Sequence, residues 1–126
     1  MKIQPSRRAG FTLVEIMVVV GVIGVLAPIA IPNFMKARTA AQTNTCINNI
    51  RAIDTAKQEW ATETLQGPGA TPTSDDLEPY LGRGDGSLER SFCPLDPDKT
   101  IDTSFDIGNV LTAPLCNFKP DEHVLL

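Results

Sequence analysis

Histidine is almost missing from this chain: of 126 residues only His123 is one. A lone histidine excludes a multi-histidine metal centre, and no serine or cysteine motif accompanies it to make a nucleophile–base pair. His123, close to the C-terminus, therefore reads as a surface residue. Zinc-type ligand spacing, a glycine-rich phosphate loop and a nucleophile elbow are absent too. The reading is of a protein that is not an enzyme. Positive charge is outweighed, with 11 Lys and Arg against 15 Asp and Glu and a net charge of −4. That balance excludes nucleic acid, which needs a basic face. The three cysteines, Cys46, Cys93 and Cys116, make an odd number, so at most one intrachain bridge can close.

Charge is missing from one long stretch, apart from a single residue. From Phe11 to Ile31 the chain runs 21 residues with Glu15 as the sole charge. As a helix it rises about 31 Å, the thickness of a bilayer's hydrocarbon core. A cleavable secretory signal would have a shorter apolar region and a small-x-small site. Here Pro28 and Pro32 interrupt the one alanine-rich candidate. The stretch therefore reads as a membrane span. Lys2, Arg7 and Arg8 precede it and favour a cytoplasmic N-terminus. Gly10, next to Ala9 and that basic pair, is a natural entry point for a protease. Glu15 is the anomaly, because a carboxylate in hydrocarbon costs on the order of 3 kcal/mol or more and usually faces a protein partner.

The order Gly10-Phe11-Thr12-Leu13-Val14-Glu15, after a short basic leader and before an apolar run, resembles the hallmark of the type IV pilin and type II secretion pseudopilin family. The likeness is tight over residues 7–35 and loose beyond. It implies that a prepilin peptidase cuts after Gly10 and methylates the new amine on Phe11. Glu15 then becomes the fifth residue of the mature chain and neutralises the amine of a neighbouring subunit during assembly. A buried carboxylate is tolerable chiefly when paired, so the chemistry agrees. Phe11 and Glu15 also sit at i and i+4, which leaves a pair within one helix open.

The expected fold is α+β, one long kinked N-terminal helix packed on a small antiparallel sheet. Residues 1–10 form the cleaved leader, 11–32 the transmembrane and assembly helix, 33–65 an amphipathic helix and 66–126 a small globular head. Loss of Lys2, Arg7 and Arg8 takes the net charge from −4 to −7. Pro32 lacks the donor for the Pro28 carbonyl, and Pro28 that for Gly24, so the helix should kink or loosen there and resume at Phe34. Cys46, Ile50, Ile53 and Trp60 then recur at helical spacing and mark the face that buries against the head. Gly67 and Pro68 should end the helix, and Ser74 should cap a short one reaching Leu81. Ile101, Thr103, Phe105 and Ile107 alternate with polar residues as in a strand, with residues 110–115 as its antiparallel neighbour across Gly108-Asn109. Arg83-Gly84-Asp85 spells an adhesion tripeptide, which a glycine-rich turn produces by chance.

A head of about 60 residues buries little core and needs a staple or a partner. Three single-bridge pairings are open among the cysteines; Cys93–Cys116 is favoured because Cys46 lies on the core stripe and pilin heads often carry a C-terminal disulfide loop. Asp96, Asp98 and Asp102 gather as spaced carboxylates, and some pseudopilins bind calcium in a comparable loop. No EF-hand spacing occurs and Lys99 interrupts the acids, so a solvated loop without cofactor is the favoured reading. The resemblance implies a structural subunit of a filament anchored in the bacterial inner membrane, with the head periplasmic or extracellular. Implied partners are other copies, related pilins, the prepilin peptidase, an assembly platform and membrane lipid. The short head, Cys93-Pro94 and Pro114-Leu115-Cys116 favour a type II secretion pseudopilus. A type IV pilus subunit and a monomeric membrane-anchored adhesin are the alternatives.

Overall fold

Thr12 starts the dominant element. Its hydroxyl accepts the backbone N–H of Glu15 at 3.3 Å and its carbonyl accepts that of Ile16 at 3.4 Å. The first is a donor that a helix start leaves open, and the second is the opening bond of the helical ladder. Glu15, in the first turn, also complements the positive end of the helix dipole. The helix that follows, α1 (Leu13–Glu63), has 51 residues. The computed structural model describes residues 10–82, 84 and 86–125. Most of the leader, residues 1–9, and Arg83 and Asp85 of the adhesion tripeptide lie outside those residues.

The chain divides into two units, residues 1–37 and 38–126. In the first, every large apolar side chain from Phe11 to Met35 exposes more than half of its surface. Among the described residues, α1 is the one helix long and apolar enough to cross a membrane. Pro28 and Pro32 lie inside it, yet the helix is continuous through both. The expected loosening and restart at Phe34 is therefore not seen. Each proline removes one hydrogen bond, and the surrounding ladder carries the helix across.

In the second unit the same helix turns amphipathic. Cys46, Ile50, Ile53 and Ala56 are fully buried, and Trp60 packs half-buried beside them. They meet Leu77, Leu81, Cys93, Ile101, Phe105 and Cys116 from the head. α1 ends at Glu63, short of the expected glycine and proline. Leu65 takes the left-handed conformation (φ 53°) usually left to glycine, and the Gln66 N–H reaches back to the Ala61 carbonyl.

The head is built from short turns. α2 (Ser74–Leu77) is capped by Thr73 rather than Ser74: Thr73 and Asp76 exchange side-chain and backbone hydrogen bonds in a capping box. A 3₁₀ turn over Glu78–Tyr80 and α3 (Ser87–Arg90) follow. The predicted strand at residues 101–107 is half wrong. Residues Ile101–Ser104 form α4, and only β1 (Phe105–Asp106) is extended. The reason is Asp96, whose buried carboxylate accepts from both the Thr103 and Ser104 hydroxyls. A strand would point those neighbours to opposite faces; a helical turn, capped by Thr100, brings both to one acceptor.

The partner of β1 is β2 (Leu115–Cys116), antiparallel, with Phe105 opposite Cys116 and Asp106 opposite Leu115. The segment between does not continue the hairpin because Lys57 gathers it. The Lys57 ammonium, fully buried, donates to the carbonyls of Ile107, Asn109 and Thr112 at 2.8, 2.9 and 2.5 Å. The Asn109 side chain accepts from the Leu111 and Thr112 N–H groups, tightening the curl. Gly108 (φ 62°) is required there, since a Cβ would meet the Thr112 hydroxyl at 2.6 Å.

Candidate functional site

Two clusters carry chemistry. The first is the start of α1. Gly10 and Phe11 precede the helix, both exposed, and Phe11 keeps 79% of its surface free. Glu15 is exposed, and its carboxylate meets no charge partner among the described residues. The Gly10–Phe11 bond and the Glu15 carboxylate are therefore both at the surface of the chain. Within the 18-residue apolar window of α1 no residue is buried.

The second cluster was not visible as a site in the sequence. Cys46 from α1, Cys93 from the loop after α3, Cys116 from β2 and His123 from the tail place their ligand atoms within 4.8 Å of one another, all buried. The Cys116 thiol contacts the Cys93 sulfur at 3.7 Å, and Cys93 lies 3.9 Å from His123 Nδ1. Cys93 and Cys116, the pair for which a disulfide is expected, lie side by side without a bond between their sulfurs, and Cys46 stands with them. His123 is only 1% exposed, which overturns its reading as a surface residue. Its Nε2 lies 3.2 Å from the Thr43 hydroxyl, so α1 holds the ring from the far side. Separations of 47 and 23 residues hid the group from any search for local ligand spacing. Burial pushes the Cys46 and Cys93 thiols up and the His123 imidazole down, so each of these three favours its neutral form.

The acidic loop has been spoken for. Asp96 is buried and accepts from Thr103, Ser104 and the Asp98 N–H, whereas Asp98 and Asp102 are exposed. Burial raises the Asp96 pKa, but these donors outweigh it and hold the carboxyl at about 2. Lys57 was missed as well, although it falls at the helical spacing of Ile53 and Trp60. Burial lowers its pKa, opposed by the charges of Asp54 and Asp106.

An N-terminal helix with apolar surface uncovered on all sides, opened by Gly10-Phe11 and leading into a small α+β head, defines a pilin-like filament subunit. Comparison with known proteins agrees. Residues 5–28 match the prokaryotic N-terminal methylation motif. The type II secretion system core protein G of Aeromonas hydrophila is 30% identical over 102 residues, covering 75% of this chain and 70% of that protein. The type IV major fimbrial protein FimA of Dichelobacter nodosus is 29% identical over 124 residues, covering 87% of this chain and 77% of that protein. The type IV major pilin PilA of Myxococcus xanthus reaches 44%, over 45% of this chain and only 26% of its own length. No solved structure shows significant similarity to the chain. The chain belongs to the type IV pilin and type II secretion pseudopilin family, whose members are structural subunits that assemble into filaments.

Proposed function

We propose that this chain is a subunit of a type II secretion pseudopilus, made as a prepilin and anchored in the bacterial inner membrane. The observation that carries the filament part is the bare apolar half of α1, headed by an exposed Gly10–Phe11 bond and a lone Glu15. The prepilin peptidase cuts that bond and methylates the Phe11 amine. Glu15 then pairs with the amine of a neighbouring copy, because two opposite charges in an apolar packing layer are tolerable together and not apart. An assembly platform in the inner membrane extracts the helix from lipid, and the head ends in the periplasm. Pro28 and Pro32, which leave the Gly24 and Pro28 carbonyls without their helical donors, are where α1 gives way as subunits pack.

Support for the pseudopilus comes from core protein G of Aeromonas hydrophila and of Pectobacterium carotovorum, the latter 32% identical over 99 residues. Both alignments run well past the N-terminal motif. The 124-residue alignment with FimA favours the second reading, a type IV pilus subunit. Two measurements test the proposal. Intact mass and N-terminal sequencing of the membrane-extracted protein should give a chain starting at methylated Phe11; a Met1 start would sink the filament reading. Deletion of the gene in its host should stop export of secreted enzymes and leave surface pili in place. Loss of pili with normal secretion would transfer the chain to the pilus.

A further inference from the structure

We propose that Cys46, Cys93, Cys116 and His123 are the four ligands of a structural zinc ion that clamps α1 to the head. Two edges of the cluster match a closed tetrahedral site, in a group whose donors all lie within 4.8 Å of one another. With zinc–sulfur bonds of about 2.3 Å, two sulfurs of such a site stand about 3.8 Å apart; Cys93 and Cys116 are at 3.7 Å. A sulfur and an imidazole nitrogen stand about 3.6 Å apart in the same site, against 3.9 Å for Cys93 and His123. All four donors are buried, so no coordination position is left for substrate and the role is structural. Three sulfurs and one imidazole select a thiophilic ion over calcium, which takes oxygen ligands.

The surroundings complete the site. His123 turns Nδ1 toward the sulfurs and Nε2 toward Thr43, the arrangement by which an outer partner fixes the tautomer of a metal-bound histidine. Binding exchanges three thiol protons for one Zn²⁺ and leaves the neutral imidazole as it is. A Cys93–Cys116 disulfide would use two of the four groups and strand Cys46 and His123; a metal uses all of them. The ligands come from α1, the middle of the head, β2 and the tail, so one ion ties together four separate stretches of the chain within the small core.

The test uses the full chain, extracted in detergent from its own membrane without chelator. Elemental analysis should give one zinc per chain that survives dialysis, and denaturation with an alkylating agent should modify three thiols. Cobalt should replace the zinc with a thiolate-to-cobalt charge-transfer band and the visible bands of a tetrahedral site. Cys46→Ser and His123→Ala should each lose zinc to a competing chelator at least about tenfold more readily, and Thr43→Val about tenfold. A zinc-free chain whose mass and alkylation report one disulfide would overturn the proposal, as would three free thiols without metal. Zinc held equally well by both ligand variants would mark it as adventitious and have the same force. Should the variants not fold, the cobalt spectrum of the unaltered chain decides, because it requires sulfur on the metal. Failure here leaves the filament reading standing, since processing at Gly10 does not depend on this site.

Discussion

Two stretches of one helix treat a lone charge in opposite ways. In residues 13–37 apolar side chains lie all round and uncovered, and Glu15 sits among them with no countercharge among the described residues. In residues 38–63 the apolar side chains form one covered stripe, and Lys57 falls on it. Its ammonium is surrounded by three backbone carbonyls of its own chain. The second stretch is finished internally: its burial, its polar partners and its fold are supplied by residues 66–125. The first is complete only when something else covers it. An isolated charge in an apolar pattern thus means either a partner elsewhere in the chain or a partner in another molecule, and only the fold tells which.

The strongest way to break that contrast is to remove Glu15. Glu15→Ala should insert into the membrane and fold its head normally, yet enter sheared filaments at least about tenfold less, because the amine of a neighbour is left buried alone. Normal incorporation would mean that Glu15 has no external partner. Next in size is the difference in burial. Ile53→Ala should cost about 3 kcal/mol in denaturant unfolding of the extracted chain, while Ile23→Ala, 57% exposed, should stay within about 0.5 kcal/mol. Equal effects would erase the distinction between the two stretches.

Lys57→Met sharpens it further. Three carbonyls would lose their donor, at about 2 kcal/mol, and amide exchange should speed up first in residues 107–112. Exchange that accelerates evenly across the head would show that Lys57 is not what holds the loop. Asp96 gives the smallest effect. Its folded pKa, about 2, lies below the ordinary 3.8, so its contribution is whole above pH 4 and is lost as pH falls toward 2. The gap in thermal midpoint between the unaltered chain and Asp96→Asn should therefore narrow across that window; a constant gap would mean that the carboxylate charge is not involved.

What the sequence disclosed follows the same division. The long apolar helix and the stripe of Cys46, Ile50 and Ile53 were legible because each is a local pattern with its own period. The head was legible only as a class. Residues 101–107 alternate as a strand does, but the needs of the Asp96 carboxylate, five residues before that stretch, impose a helical turn. Residues 110–115 read as a strand, and a lysine more than fifty residues earlier curls the chain at their start, holding the Asn109 and Thr112 carbonyls. The meeting of three cysteines with His123 rests on separations that no spacing rule covers. The count alone, three sulfurs and one imidazole, was the one available hint.

Lys57 has a further use that its chemistry dictates. Of the five lysines, Lys36, Lys99 and Lys119 present their side chains to solvent to varying degrees, and Lys2 belongs to the leader. An acylating reagent meets the Lys36, Lys99 and Lys119 amines readily, whereas the Lys57 nitrogen is walled in by oxygen acceptors and carries no accessible lone pair. It reacts only in the moments when the loop around it lets go. The chain thus contains its own stopwatch: the slow appearance of label at Lys57, against the fast label at its neighbours in sequence, times the opening of the head without any residue having been changed.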